Sequence, residues 1–120
     1  MIQLNSKLRV SDNSGAKGIK CIKITCGSLF GSIGDRIMVA TQKVLPGRKI
    51  KSGEVFPSVI VRQAKGFKRK DGTSIKFYEN SAVLLTTKGL PLGTRVFGPV
   101  PKELRAKNYM KIVSISQGII

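Results

Sequence analysis

Chemistry that binds phosphate is concentrated between Val59 and Leu84, in VIVRQAKGFKRKDGTSIKFYENSAVL. There Arg62, Lys65, Lys68, Arg69 and Lys70 gather with only Asp71 and Glu79 nearby to offset them. Apolar runs at both ends read as strands. Asp71-Gly72 between them suits a two-residue type I′ hairpin, whose positive backbone dihedrals match the strand twist. The ribbon is therefore expected to project as a cationic arm, and such an arm requires a polyanionic partner.

Other chemistries lack their residues. The chain has no histidine, which removes the commonest general acid/base and the commonest nitrogen metal ligand. Its acids, Asp12, Asp35, Glu54, Asp71, Glu79 and Glu103, stand singly and form no carboxylate pair in the sequence. Two cysteines without a histidine cannot complete a zinc site, so no catalytic residue, metal or cofactor is expected. Cys21 and Cys26 are expected to be buried free thiols, because their spacing along one strand points them to opposite faces. Gly27 to Gly34 has glycines that could approach a phosphate, but no Lys-Ser/Thr pair follows them, and it reads as a connecting loop. Phe67, between Gly66 and Lys68, has two open readings: a stacking platform for a base, or a core or partner contact.

The whole chain shares the cationic character of the ribbon. Its formal net charge is +16 over 120 residues. Ten Lys/Arg against three acids lie before Arg62, and twelve against three from there on, so the charge is dispersed and not held in a tail. That balance attracts nucleic acid and repels itself. The longest uncharged run, Ile24 to Gly34, is too short and glycine-rich for a membrane span of about 20 residues. The opening MIQLNSKLRV has neither the apolar core of a secretory signal nor the character of a transit peptide, so import is not expected.

The elements that must position these cations read as β structure. Lys7 to Val10 is a short strand, and Asp12-Asn13-Ser14-Gly15 a reversal. Gly18 to Thr25 is a strand with Ile22 and Ile24 toward the core and Lys20 outward. Arg36 to Leu45 is another, with Ile37, Val39 and Thr41 on one face. Pro46 to Gly53 is a cationic loop, either a solvated hairpin or a further phosphate contact. Arg95 to Phe97 is a short extended piece. Pro99 to Lys107 is expected to be a short helix, and Asn108 to cap a second from Tyr109 to Val113. The fold class is all-β: a small five-stranded barrel, OB/SH3-like, with a projecting basic hairpin and two short C-terminal helices. One domain spans 1–120, with the barrel over about 1–98 and the helices over about 99–116.

This pattern resembles the universal large-subunit ribosomal protein L-fourteen family. The family signature, an apolar triplet, Asp/Asn-Gly, an aromatic, Asn and a Val-apolar pair, is filled by Val59-Ile60-Val61, Asp71-Gly72, Phe77, Asn80 and Val83-Leu84. Further matches are Val10 to Ala16, Ile33-Gly34-Asp35, Gly53-Glu54, Gly93 to Pro99, Glu103-Leu104-Arg105 and Met110 to Ser114, which together cover essentially the whole chain. The chain departs from the family at Ser58, where a small apolar residue is usual, in the short loop from Gly27 to Ile33, and in its ending, Gln117-Gly-Ile-Ile.

The resemblance implies a non-catalytic structural constituent of the large ribosomal subunit that binds large-subunit RNA. It places the chain beside ribosomal proteins of the L-three and L-nineteen families, at bridges to small-subunit RNA, on a face that a ribosome-silencing factor can occupy. The expected RNA contacts are Lys7, Arg9, Lys17, Lys43, Arg48, Lys49, Lys51, Arg62, Lys65, Lys68, Arg69 and Lys70. The expected subunit-interface residues are Thr94, Arg95, Lys111 and Ser114. A free-standing small-barrel RNA chaperone or regulator is the alternative, and it would gather its charge in one groove. Thirteen isoleucines and fifteen lysines against five alanines point to an AT-rich coding genome and favour an organelle-encoded mitochondrial protein over a bacterial or plastid one.

Overall fold

Side-chain alternation builds the strands of the computed structural model, which describes residues 2–25, 27, 29–47 and 50–120. In β3 (Arg36–Val44) Ile37, Val39 and Thr41 are buried, as a period of two requires, while Met38 and Ala40 take the other face. Five strands, β1 (Lys7–Val10), β2 (Ala16–Ile24), β3, β4 (Val55–Arg62) and β7 (Ser81–Leu84), close into a barrel in that order. Closure is made by a parallel pairing of β1 with β7, at Arg9↔Ser81 and Val10↔Ala82, whereas the other neighbours are antiparallel. Every residue of β7 and the last five of β4 are buried. Such strands are covered on both faces, and Val96, Val100, Leu104, Ile112 and Val113 from the C-terminal quarter join the same core.

Beyond the barrel, β5 (Phe67–Lys68) and β6 (Ser74–Ile75) form the basic hairpin. They are followed by β8 (Val96–Val100), α1 (Glu103–Ala106), α2 (Met110–Ile115) and β9 (Ser116–Ile119). Among the described residues no helix is long and apolar enough to cross a membrane.

Several local expectations change. Ile22 points outward, 43% exposed, while Ile19 and Cys21 take the core side. The cause is a β-bulge: Cys21 pairs with Val39 and Ile24 with Ile37, so Ile22 and Lys23 together face Met38 and the inward phase shifts by one residue. Cys21 is a buried free thiol; Cys26 lies outside the described residues.

The hairpin turns at Asp71-Gly72, but through a three-residue loop and not type I′. Gly72 has φ +92°, whereas Asn5 and Asn108 are the only described non-glycine residues at positive φ. Arg69 N–H donates to Thr73 O at 2.8 Å, Gly72 N–H donates to Arg69 O at 3.1 Å, and the Asp71 carboxylate accepts from Thr73 N–H at 3.0 Å. That side-chain bond uses Asp71 in an Asx turn and leaves the left-handed position to glycine.

The C-terminal helices are shorter than expected at the first, because Pro99 and Val100 belong to β8. Asn108, at φ +68°, ends α1 and does not cap α2. Tyr109 N–H reaches Leu104 O and Asn108 N–H reaches Arg105 O, the paired bonds of a Schellman stop. The two helices then meet at a corner that buries Leu104, Ile112 and Val113. β9 has no counterpart in the sequence reading. Its parallel pairing with β8, from Val96↔Ser116 to Val100↔Ile119, folds the chain end back along the strand.

Ser58, the departure from an apolar position, is completely buried and its hydroxyl has no partner among the described residues. An unpaired buried hydroxyl is costly, so Ser58→Ala is expected to stabilise the protein by about 1 kcal/mol. Thermal melts should show a rise in Tm of roughly 4 °C; a fall would mean that the hydroxyl is satisfied in solution.

Candidate nucleic-acid interface

Every carboxylate in the chain is engaged inside the fold. Asp12 is buried in the turn after β1 and accepts from Ser14 N–H, Ser14 Oγ and, at 3.2 Å, Leu84 N–H of β7. Asp35 accepts from Ser32 N–H and hydroxyl and from Lys107 Nζ. Glu54 accepts from Lys51 N–H, Asp71 from Thr73 N–H, Glu79 from Arg9 and Ser81, and Glu103 from Arg69. Among the described cations only Arg9, Arg69 and Lys107 pair with a carboxylate. The other described cations have no carboxylate partner in the fold, although Arg62 is held by backbone carbonyls and Arg36 lies over the Tyr109 ring.

Five of the expected contacts, Lys7, Arg9, Lys17, Lys43 and Arg62, converge on one cleft. In β1, Lys7 and Arg9 point outward on either side of buried Leu8. Lys7 lies opposite Lys20 and Arg9 opposite Gly18. Gly18 in turn faces Lys43, whose aliphatic stem packs over it, 3.6 Å from where a Cβ would stand. Lys7, Arg9, Lys17, Gly18 and Lys43 line a cleft of about 770 Å³ that also includes Glu79, Phe97 and Arg62. Two carboxylates line the cleft and neither is free: Arg9 holds Glu79 at 2.8 Å, and Asp12 is buried and accepts from Ser14 and from Leu84 N–H.

Arg62 is placed differently from the other cations. It is 8% exposed, and its Nη1 donates to Phe97 O at 2.9 Å and Pro99 O at 3.1 Å. The residue between those carbonyls is Gly98, at φ +77°, where a Cβ would collide with the Arg62 guanidinium. Arg62 therefore fastens the end of β4 to β8 and forms part of the cleft floor. Burial lowers its pKa from the usual value while the Glu79 charge opposes the shift.

Lys65, Lys68 and Lys70 are exposed on the hairpin side, whereas Arg69 is held by the protein. Its Nε lies 2.5 Å from Glu103 Oε1, and its Nη2 donates to Glu103 Oε2 at 3.2 Å and to Ile120 O at 2.6 Å. The arm is thus tied to α1 and to the end of β9, and does not project freely. Phe67 is half-buried against the core, with the Arg69 guanidinium 6.0 Å from its ring centre, which favours the core reading over base stacking. Lys51 is exposed; Arg48 and Lys49 lie outside the described residues.

Thr94, Arg95, Lys111 and Ser114 are all exposed. Asn13 fixes the first two: its Oδ1 accepts from Thr94 N–H at 2.8 Å and Arg95 N–H at 3.0 Å, and its Nδ2 donates to Thr94 Oγ1 at 2.8 Å. Because Val96 pairs with Ser116, Arg95 is brought to the end of α2 that carries Ser114. The Ser114 hydroxyl donates back to Lys111 O at 2.8 Å. Sequence reasoning missed the Asn13 clip and the internal use of Arg62 and Arg69. Gly98, in a strand beside two carbonyls aimed at one donor, was the available signal for Arg62.

A family model described as Ribosomal protein L14p/L23e matches residues 1–120. The chain belongs to that family and is a structural constituent of the large ribosomal subunit.

The ion pairs have a pH signature. Burial pushes the Glu103 carboxyl up, but hydrogen bonding and charge from Arg69 outweigh it and leave it low. Burial likewise opposes, and Ser32 and Lys107 produce, a lowered Asp35; the Arg9 hydrogen bond lowers Glu79. A carboxylate whose folded pKa is depressed stabilises the protein above its unfolded pKa and loses that contribution as pH falls through the folded value. Asp12 has the opposite sign, raised by burial, and favours folding only on the acid side. Asp71 is lowered as well, by its hydrogen bonds from Thr73, so with four lowered groups against one raised, denaturant midpoints should fall as the pH drops from 6 to 3. Glu103→Gln should lose less over that interval than the wild type; an equal loss would show that the Arg69 pair contributes nothing.

Proposed function

We propose that this protein is held in the large subunit by phosphate contacts from its exposed cations to large-subunit RNA, without catalysis. The carrying observation is the complete internal use of the carboxylates beside lysines and arginines exposed on several faces. Lys7, Arg9, Lys17 and Lys43 form one phosphate-binding face; Lys65, Lys68 and Lys70 supply a second; Arg48, Lys49 and Lys51 extend the contacts from their loop. Arg62 and Arg69 serve chiefly by holding those faces in place. Dispersed phosphate contacts position a protein on RNA but carry little sequence information. A chaperone with one binding groove would have less use for cations on the remaining faces.

Thr94, Arg95, Lys111 and Ser114 form the face toward the small subunit, where the protein contributes to bridges with small-subunit RNA and receives a ribosome-silencing factor. Proteins of the L-three and L-nineteen families are its neighbours. The isoleucine- and lysine-rich composition supports a mitochondrial ribosome over a bacterial or plastid one.

Sucrose-gradient fractionation of cells or organelles carrying tagged variants tests both faces. Lys17→Glu with Lys43→Glu should move the protein from large subunits to the top of the gradient. Arg95→Glu with Lys111→Glu should leave large-subunit incorporation intact while reducing joined ribosomes or silencing-factor binding. Wild-type profiles for the first pair would remove the phosphate-binding assignment. Unchanged joining and factor binding for the second would return that face to ordinary solvated surface.

A further inference from the structure

The cleft over β1 and β2 holds more than cations. Phe97 lies in its wall, 44% exposed, in a β8 strand whose backbone is fixed from three directions. Phe97 N–H donates to Ser11 O at 2.6 Å, Arg62 holds the carbonyls of Phe97 and Pro99, and Gly98 N–H donates to Gln117 Oε1 at 2.8 Å. An aromatic ring on so constrained a backbone is presented with little conformational freedom left to lose, which favours binding.

Beside the ring, Arg62 uses Nη1 for the two carbonyls, while Nε and Nη2 have no protein acceptor among the described residues. A guanidinium that is nearly buried and still holds unused donors at a cleft floor presents a planar fork for an acceptor edge. The rim supplies Lys7, Lys17 and Lys43 for phosphate, and the volume of about 770 Å³ lies within the range of small-ligand sites.

We infer that this cleft receives one unstacked nucleotide of the RNA strand, with its base against Phe97, an acceptor edge of the base toward Arg62, and its flanking phosphates among Lys7, Lys17 and Lys43. The inference rests on the RNA-binding reading above and adds a specific base pocket to it. Proteins recognise RNA in this way where a loop or bulge lets a base leave the stack. Phe67 cannot serve the same purpose, since it is packed against the core and Arg69 lies over it.

The test uses the full chain with protein-free large-subunit RNA, comparing wild type, Phe97→Ala and Phe97→Tyr, each checked for an unchanged thermal melt. Loss of one stacked base should weaken binding about 10-fold for Phe97→Ala, with Phe97→Tyr close to wild type. The salt dependence should stay the same in both, because no phosphate contact is removed. Ultraviolet cross-linking should join the Phe97 peptide to a single RNA position in wild type and lose that adduct in Phe97→Ala. Wild-type affinity for Phe97→Ala, or cross-links confined to other surfaces, would overturn the base pocket while leaving phosphate binding standing. Failure of the wild type to bind this RNA at any salt would overturn both. Displacement of the adduct by micromolar guanosine monophosphate would assign the cleft to a free nucleotide and overturn the RNA-strand reading.

Discussion

Six carboxylates among twenty-two lysines and arginines are the constraint on which the rest of this structure depends. With so few anions, each must do structural work, and the fold places each where a backbone N–H, a hydroxyl or a cation needs an acceptor. Asp12 joins the first turn to β7, Asp35 links the entry of β3 to Lys107 after α1, and Glu103 ties α1 to the hairpin. None remains to screen the exposed lysines. In the free protein those charges repel one another; on the RNA partner proposed above the same charges would supply binding energy.

The consequence of that arrangement is a barrel whose outer attachments are fastened by polar contacts. Arg62 reaches from β4 to the carbonyls around Gly98, Asn13 holds the Thr94-Arg95 backbone, and Arg69 brings the hairpin to α1 and Ile120. Each fastening leaves a neighbouring surface in a defined position: the Phe97 cleft, the Arg95 face, and the Lys68-Lys70 edge. Two arginines in the densest basic stretch thus organise the cationic surface, while the lysines around them supply it. The division follows the chemistry, because a planar guanidinium can satisfy several fixed acceptors at once and an ammonium on a flexible stem remains well hydrated.

The barrel was legible in the sequence because its signals are local. The period of two in β3, the apolar runs of β4 and β7 and the turn formers between them require no knowledge of distant partners. Ile22 was misplaced because one extra residue at a bulge inverts the inward phase, and nothing in GIKCIKIT marks the bulge. β9 was not legible because SQGI has no apolar alternation and its partner lies in another element. The Arg69–Glu103 pair spans thirty-four positions, and in the sequence Arg69 is indistinguishable from Lys68 and Lys70. Composition therefore pointed to a polyanionic partner, but the tertiary contacts decide which cations are left to meet one.

The central claim, that unmatched cations bind RNA through phosphate, is tested most directly by the salt dependence of the affinity of the isolated protein for large-subunit RNA. If about six phosphates are neutralised, log K should fall against log salt with a slope near −5. A slope near −1 would contradict the account, since binding would then rest on contacts that release almost no counterions.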